Sequence, residues 1–294
     1  MMRLKKAANS NMPQRTKLVA LAFAGLGSHA YAQDKPAVPP AEDTPSPLVI
    51  SPDRGSFTDG TSISPVGHVT LETGYTFTFR NRQDVETQRH NSPEITARVG
   101  ILSDRLEARL TTSGYNWIRG DDGTGAGFAA SQGWSDVTLG VKVKLADQEK
   151  WMPRMAVEAV STLGIGTDGI SNQIAEPTFK FLWSTDLGAA IDDKWAGYSL
   201  SGNLNLAFPT SSGSRFTQAQ WSFNAAAPIA DKTSMLIEYF GIGPNNKGRD
   251  AAHYFSTGGT RLLTDRMQID ARVGVGLNRE ADNAFVGFGI SFLF

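Results

Sequence analysis

From His68 to the last residue the chain alternates apolar and polar positions with period two, the pattern of β-strands whose two faces meet different surroundings. In the first segment Val69, Leu71, Tyr75, Phe77 and Phe79 share one face, and Thr70, Glu72, Gly74, Thr76, Thr78 and Arg80 share the other. Ile95, Ala97, Val99 and Ile101 alternate with Glu94, Thr96, Arg98 and Gly100. Val137, Leu139, Val141, Val143 and Leu145 alternate with Asp136, Thr138, Gly140, Lys142 and Lys144. About twelve such segments follow one another, each near the ~9–11 residues that cross a bilayer as a tilted strand.

The connections alternate in length. Short turns at 103–105, 146–154, 185–194, 230–232 and 264–266 are separated by Gly- and Asp-rich loops at 81–93, 118–133, 166–175, 209–215, 243–251 and 278–283. Short turns on one side and longer loops on the other match periplasmic and extracellular ends. Three turns repeat one chemistry, Leu102-Ser103-Asp104-Arg105, Ile229-Ala230-Asp231-Lys232 and Leu263-Thr264-Asp265-Arg266, in which Asp satisfies the reversing backbone. A soluble sandwich or propeller would also repeat strands, but so uniform an apolar face would then need a second apolar layer to cover it, and the sequence offers none. The prediction is an all-β fold: a closed transmembrane antiparallel β-barrel of about 12 strands over residues 68–294, embedded in the lipid of a bacterial outer membrane.

Ala284, Val286, Phe288, Ile290, Phe292 and Phe294 carry the alternation to the end of the chain. A terminal Phe resembles the signal read by the barrel-assembly machinery, which makes that machinery an expected partner through Phe294. Trp117, Trp134, Trp183, Trp195, Tyr239 and Tyr254 fall near predicted strand ends, where interfacial girdles belong.

Upstream of the barrel, basic residues Arg3 to Lys17 precede a short apolar stretch from Leu18 to Leu26 and then Ala30-Tyr31-Ala32, the order of a secretory signal over residues 1–32. Met12 offers an alternative start with a more compact basic region. Residues 33–50 carry Pro36, Pro39, Pro40, Pro45 and Pro47 and read as a Pro-rich periplasmic linker. Residues 51–67, rich in Gly, Ser, Asp and Pro, form a lead-in to the first strand.

Composition narrows the function. With Lys+Arg 28 against Asp+Glu 29, there is no electrostatic case for nucleic acid. Mean hydropathy is −0.25 and no apolar run reaches the ~20 residues of a spanning helix. The absence of Cys removes thiolate chemistry and sulfur-ligated metals and suits an oxidising compartment. His29, His68, His90 and His253 show no metal-ligand spacing, and there is no Gly-x-Ser-x-Gly; Gly123 to Gly127 is a loop rather than a phosphate cradle. Asp121 and Asp122 fit a solvated loop better than a cation site. No catalytic residue, cofactor or metal is assigned. A barrel lipid hydrolase using His90 or His253 is the weakest of the functional alternatives.

The inward polar face is therefore the candidate site, with Glu72, Glu94, Arg98, Glu107, Arg109, Lys142, Lys144, Glu158, Lys180, Asp270 and Arg272 as lumen-lining residues. Asp136, Glu176, Glu238, Arg80 and Arg261 are also placed inward. The signs balance, so neither a polyanion channel nor a carboxylate ring is indicated. Glu94 with Arg98, and Glu107 with Arg109, lie where cross-strand neighbours pair. Two readings stay open. The charges either fill the lumen as a salt-bridge network in a structural or adhesive barrel, or line a narrow passage for a small solute. Lys142 and Lys144, of one sign at successive inward positions, are the candidates to meet a carboxylate or phenolate.

Several segments resemble one family. Asp53-Arg54-Gly55-Ser56-Phe57-Thr58-Asp59-Gly60, Pro65-Val66-Gly67-His68-Val69 and Glu72-Thr73-Gly74-Tyr75 are similar to the lead-in and first strand of the "putative MetA-pathway of phenol degradation" family of outer-membrane transporters. Pro93-Glu94, Leu102 to Glu107, Gly133 to Val137, Asp250 to Tyr254 and Leu262 to Asp265 follow in the family's order. Gly55 departs from it, since members often carry Pro there. The resemblance implies passive uptake or export of small compounds, with aromatic ones as candidates, and transfers no binding residue.

Overall fold

The computed structural model describes residues 48–82, 85–121, 129–211, 213–244 and 249–294. The predicted signal, residues 33–47 of the linker, Asp122 and the glycine loop at 123–127 lie outside the described residues.

In chain order the strands are β1 (Val69–Arg82), β2 (Val85–Gly100), β3 (Leu106–Thr112), β4 (Tyr115–Asp121), β5 (Ala129–Trp134), β6 (Val137–Ala146), β7 (Arg154–Thr162), β8 (Pro177–Asp186), β9 (Ser199–Ala207), β10 (Thr210–Ser211), β11 (Ser214–Arg215), β12 (Gln218–Ala230), β13 (Thr233–Ile242), β14 (Ala252–Thr264), β15 (Met267–Gly276) and β16 (Ala284–Leu293). β10 and β11 form a separate hairpin, and the other 14 strands form one sheet. β1 pairs with both β2 and β16, so the sheet closes on itself. Closure is what lipid demands, because an open edge would strand unsatisfied N–H and C=O groups at several kcal/mol each.

The register of β2 accounts for the strand count. Its residues 95–100 pair with β3 and its residues 86–92 with β4, so β3 and β4 are one stave interrupted at Ser113-Gly114. Gly114 holds φ 75° with the Pro93 carbonyl pressed against it, and a side chain would be excluded on both grounds. β5 and β6 are likewise one stave interrupted at Ser135-Asp136. The 14 strands thus make twelve staves, the number the alternation predicts.

Outward residues such as Leu139, Val141, Phe179, Leu204, Phe223, Ile237, Phe255, Val273 and Phe288 are all exposed. An apolar belt of this kind around a closed barrel belongs in the outer membrane. Val69 N–H donates to the Phe294 carbonyl at 3.2 Å and Phe294 N–H to the Val69 carbonyl at 2.9 Å, so pairing runs to the last residue. That junction lies at the end carrying the tight turns, the periplasmic end.

Four expectations are corrected. Among the described residues the loops expected at 81–93 and 118–133 are strand: β1 and β2 take 81–82 and 85–93, and β4 and β5 take 118–121 and 129–133. Beyond the membrane both faces of a ladder meet water, so the hydrogen bonds continue while the alternation vanishes. The turn at 185–194 is longer than expected, with a helical turn, α1 (Leu187–Ala190), capped by the Asp186 side chain, and β9 starts only at Ser199. Tyr254 is not in a girdle: it points inward, is buried, and its hydroxyl accepts from Asp282 N–H at 3.0 Å. Arg261 faces outward, opposite Ile269 in the register and on the same side as Phe255. The preceding pair Gly258-Gly259 carries no polarity, so the sequence leaves the parity of that strand unmarked.

Candidate functional site

The barrel interior is filled by the lead-in segment. Ile50 is buried, and its N–H donates to the Asp265 carbonyl of the β14–β15 turn at 2.8 Å, so the chain enters from the periplasmic end. From there residues 51–64 run among the inward side chains of the staves.

Asp53 is the hub. Its carboxylate accepts from Lys142 Nζ at 2.8 Å and Gly60 N–H at 3.0 Å, and pairs with Arg109 Nη2 at 2.9 Å. The N–H groups of Asp53 and Arg54 donate in turn to the Glu72 carboxylate at 3.1 and 2.9 Å. Arg98 is fully enclosed and fully engaged: it donates to Glu107 at 3.1 Å, to Glu72 at 3.1 Å, and to the carbonyls of Ser51 and Ser62 at 2.8 Å each. Glu107 also accepts from Ser64 N–H at 2.7 Å. Arg109 closes the network on Glu158, which pairs with Lys180 at 2.8 Å, and Lys180 reaches Asp59 at 2.7 Å. Buried charges persist only when paired and hydrogen-bonded, and here wall and inserted segment satisfy each other.

Arg54 crosses the lumen to Glu94 at 2.8 Å and Asp270 at 3.4 Å. Its guanidinium lies over Gly74 and Gly289, which face each other in the β1–β16 register, and a methyl on either would overlap it. Gly100 is needed in the same way, because the Ser64 and Pro65 backbone packs where its Cβ would stand. On the opposite wall Glu238 accepts from Phe57 N–H at 2.9 Å, Thr58 N–H at 2.8 Å and the Thr58 hydroxyl at 2.7 Å. Phe57 stacks on Phe240 with ring centroids 4.4 Å apart, joining a small apolar cluster with Tyr254 and Ala281.

The segment divides the lumen. One cavity of about 420 Å³ touches Glu94, Arg109, Thr138 and Thr178, and a second of about 260 Å³ touches Ser199, Ser234, Leu236 and Gln268. Asp53, Arg54, Ser56 and Asp59 line both, so the inserted chain is the partition between two polar chambers.

Of the residues expected to line the lumen, Glu72, Arg98, Glu107, Arg109, Lys142, Glu158 and Asp270 are buried inside the barrel, and Glu94 and Lys180 are mostly enclosed. Arg272 donates to the Ser56 carbonyl at 3.1 Å. Lys144 sits at the periplasmic rim, with Asp147 at 3.0 Å and Asp104 at 3.5 Å. The ammonium groups of Lys142 and Lys144 are thus both engaged by carboxylates of the chain itself. Asp136 is tied up as well, accepting from Gly166 N–H at 2.8 Å and the Ser171 hydroxyl at 2.7 Å in the 163–176 loop. Sequence reasoning did not assign Asp53, Arg54 and Asp59 to the lumen. The available signal was a charged, glycine-flanked motif just ahead of a barrel whose inward charges balance.

On the inserted segment, burial acts to raise Asp53, but Arg98, Lys142 and Arg109 outweigh it and hold the carboxyl well below its ordinary value. Asp59 is lowered in the same sense, burial being overcome by Lys180 and Arg109. Among the described residues no group of His, Asp and Glu is placed to hold a metal ion.

The family model described as "Putative MetA-pathway of phenol degradation" matches residues 52–294, inserted segment and barrel together. The chain belongs to this family. Its fold is shared with the COG4313 outer membrane channel from Pseudomonas putida F1, at 12% identity and a TM-score of 0.64, covering 83% of this chain and 100% of that one. The transport unit of the autotransporter AIDA-I from Escherichia coli is more distant, at 11% identity and a TM-score of 0.49, covering 77% of this chain and 90% of that one. The NanC porin matches at 10% identity and a TM-score of 0.45, covering 76% and 98%. Among curated proteins nothing matches in sequence. Membership of the phenol degradation family extends over the lead-in, so the segment that fills this family member's lumen is part of what the family model describes.

Proposed function

We propose that the protein is a passive outer-membrane channel for small solutes, aromatic acids included, and that residues 51–64 are its gate. The observation that carries this reading is the pair of polar chambers separated only by the inserted segment, which is held by side chains and not by a strand pairing. Release of the Asp53, Arg54 and Glu238 contacts joins the two chambers into one passage. The C-terminal strand ending in Phe294 is, in the same reading, the segment offered to the barrel-assembly machinery.

The structural reading keeps one observation in its favour, the completeness of the ion-pair network around Arg98 and Arg109. A tether separates the two. Thr61 Oγ1 and Ser184 Oγ lie 2.6 Å apart, and the chain has no other Cys to interfere. A T61C/S184C variant can therefore close a disulfide between segment and wall. In planar bilayers the gate reading expects silence when oxidised and solute-blockable openings after reduction. Equal silence in both states, with the barrel folded, favours the closed structural barrel.

A further inference from the structure

At the mouth opposite the Val69–Phe294 junction lies a cavity of about 940 Å³. Arg80 and Arg82 of β1, Arg89 of β2, and Arg249 and Arg279 of the neighbouring loops line it. The β1–β2 register pairs Thr78 with Arg89 and Arg80 with Thr87, so these strand arginines share the face of Thr76 and Glu72 and project into the barrel mouth, away from lipid. Against five arginines the described lining residues supply two acids, Glu280 and Asp282.

Those acids are loosely held. Arg80 and Asp282 are 3.7 Å apart, Arg249 and Glu280 3.5 Å, and Arg279 and Glu280 3.6 Å. Arg82 is fixed by donating to the carbonyls of Asn278 and Ala281, but among the described residues the guanidiniums of Arg80, Arg89, Arg249 and Arg279 donate no hydrogen bond to protein. The contrast with Arg98, deeper in the same lumen, is direct, since its donors are taken by two carboxylates and two carbonyls. Arg98 is used up by the chain itself, whereas Arg80, Arg89, Arg249 and Arg279 at the mouth keep donors available.

We propose that this vestibule captures small carboxylate solutes for the channel, an inference that rests on the channel reading above and gives it a substrate class. A guanidinium fork matches the two oxygens of a carboxylate, and several forks in one concavity recognise it as single lysines would not. A surplus of one sign at a mouth with low-dielectric walls also concentrates the counter-charged solute. The incoming carboxylate takes the place that Glu280 and Asp282 fill loosely in its absence. Because the strand arginines Arg80, Arg82 and Arg89 face the lumen, the ligand is a free solute and not the phosphate of a neighbouring lipid.

The test is calorimetric titration of the folded chain, in nanodiscs of zwitterionic lipid free of lipopolysaccharide, with benzoate and with its cationic counterpart benzylammonium. Benzoate binds in low salt, benzylammonium does not, and R80Q/R89Q weakens benzoate at least about tenfold, as does R249Q/R279Q, while R266Q at a periplasmic turn changes nothing. Heat-modifiable migration on a gel establishes that each variant is folded. Equal binding of the two probes, or benzoate affinity unchanged in both double variants, overturns the proposal. Conductance measured on the same samples keeps the two readings apart: a barrel that binds benzoate and never conducts refutes the channel alone, and one that conducts without binding benzoate refutes the capture site alone.

Discussion

Asp53 and Lys142 meet at 2.8 Å inside the barrel, joining a residue upstream of the first strand to the middle of β6. Both are buried, and Arg98 and Arg109 lie against the same carboxylate. The pair is thus a latch between the inserted segment and the wall, and its energetics can be read separately from those of the barrel.

Replacing Asp53 by Asn leaves Lys142, Arg98 and Arg109 facing one another without their shared counter-charge. Breaking one side of a buried pair costs about 3–5 kcal/mol, so residues 50–67 should lose protection from hydrogen exchange and channel openings should become frequent. The double variant D53L/K142M should lose less than the sum of its single changes, because the second substitution removes the stranded charge. An additive result would show that the two residues do not act as one latch.

Gly74→Ala tests the seat of Arg54. The added methyl overlaps the guanidinium and the Phe288 carbonyl, so Arg54 must leave Glu94 and the β1–β16 backbone must shift locally, at a cost of about 1–3 kcal/mol. Gly120→Ala, whose nearest neighbour would be 3.6 Å away, is the matched control. G74A should copy the gating phenotype of R54A, and G120A should copy the parent.

Acid should open the gate only in a defined range. Asp53 and Asp59 are held below their ordinary value of 3.8 in the folded chain, so their contribution to holding the segment is complete above that value and fades as pH falls through the lowered values. The share of the hold supplied by these two carboxylates, read as the difference between the parent and D53N/D59N in proteolysis of the segment and in conductance, should therefore be constant from neutral pH down to about pH 4 and shrink only below it. A transition between pH 5 and 8 would assign the latch to other groups.

Phe294→Ala preserves the backbone bonds to Val69, since both use main-chain atoms. Refolding into detergent should be unchanged. If the terminal ring is what the assembly machinery reads, the amount of folded barrel in the outer membrane of cells should fall severalfold, as measured by heat-modifiable migration of membrane fractions.

Period-two alternation over residues 69–294 was sufficient to give the class, the number of staves, the lipid-facing side and most lumen-facing residues, because in a single-layer barrel each position's polarity is set by which solvent it meets. That logic fails where both faces meet the same medium, as above the membrane in β2 and β4, and where glycine carries no polarity, as beside Arg261. It is also silent about Asp53, Arg54 and Asp59. Their partners Lys142, Glu94 and Lys180 lie on three different staves, and no local pattern encodes a contact made only when the sheet has closed. Alternation specifies a barrel with a balanced, polar interior. That the balance is struck against the chain's own lead-in emerges on folding, because closure brings those charges within reach of one another and burial then requires that each find a partner.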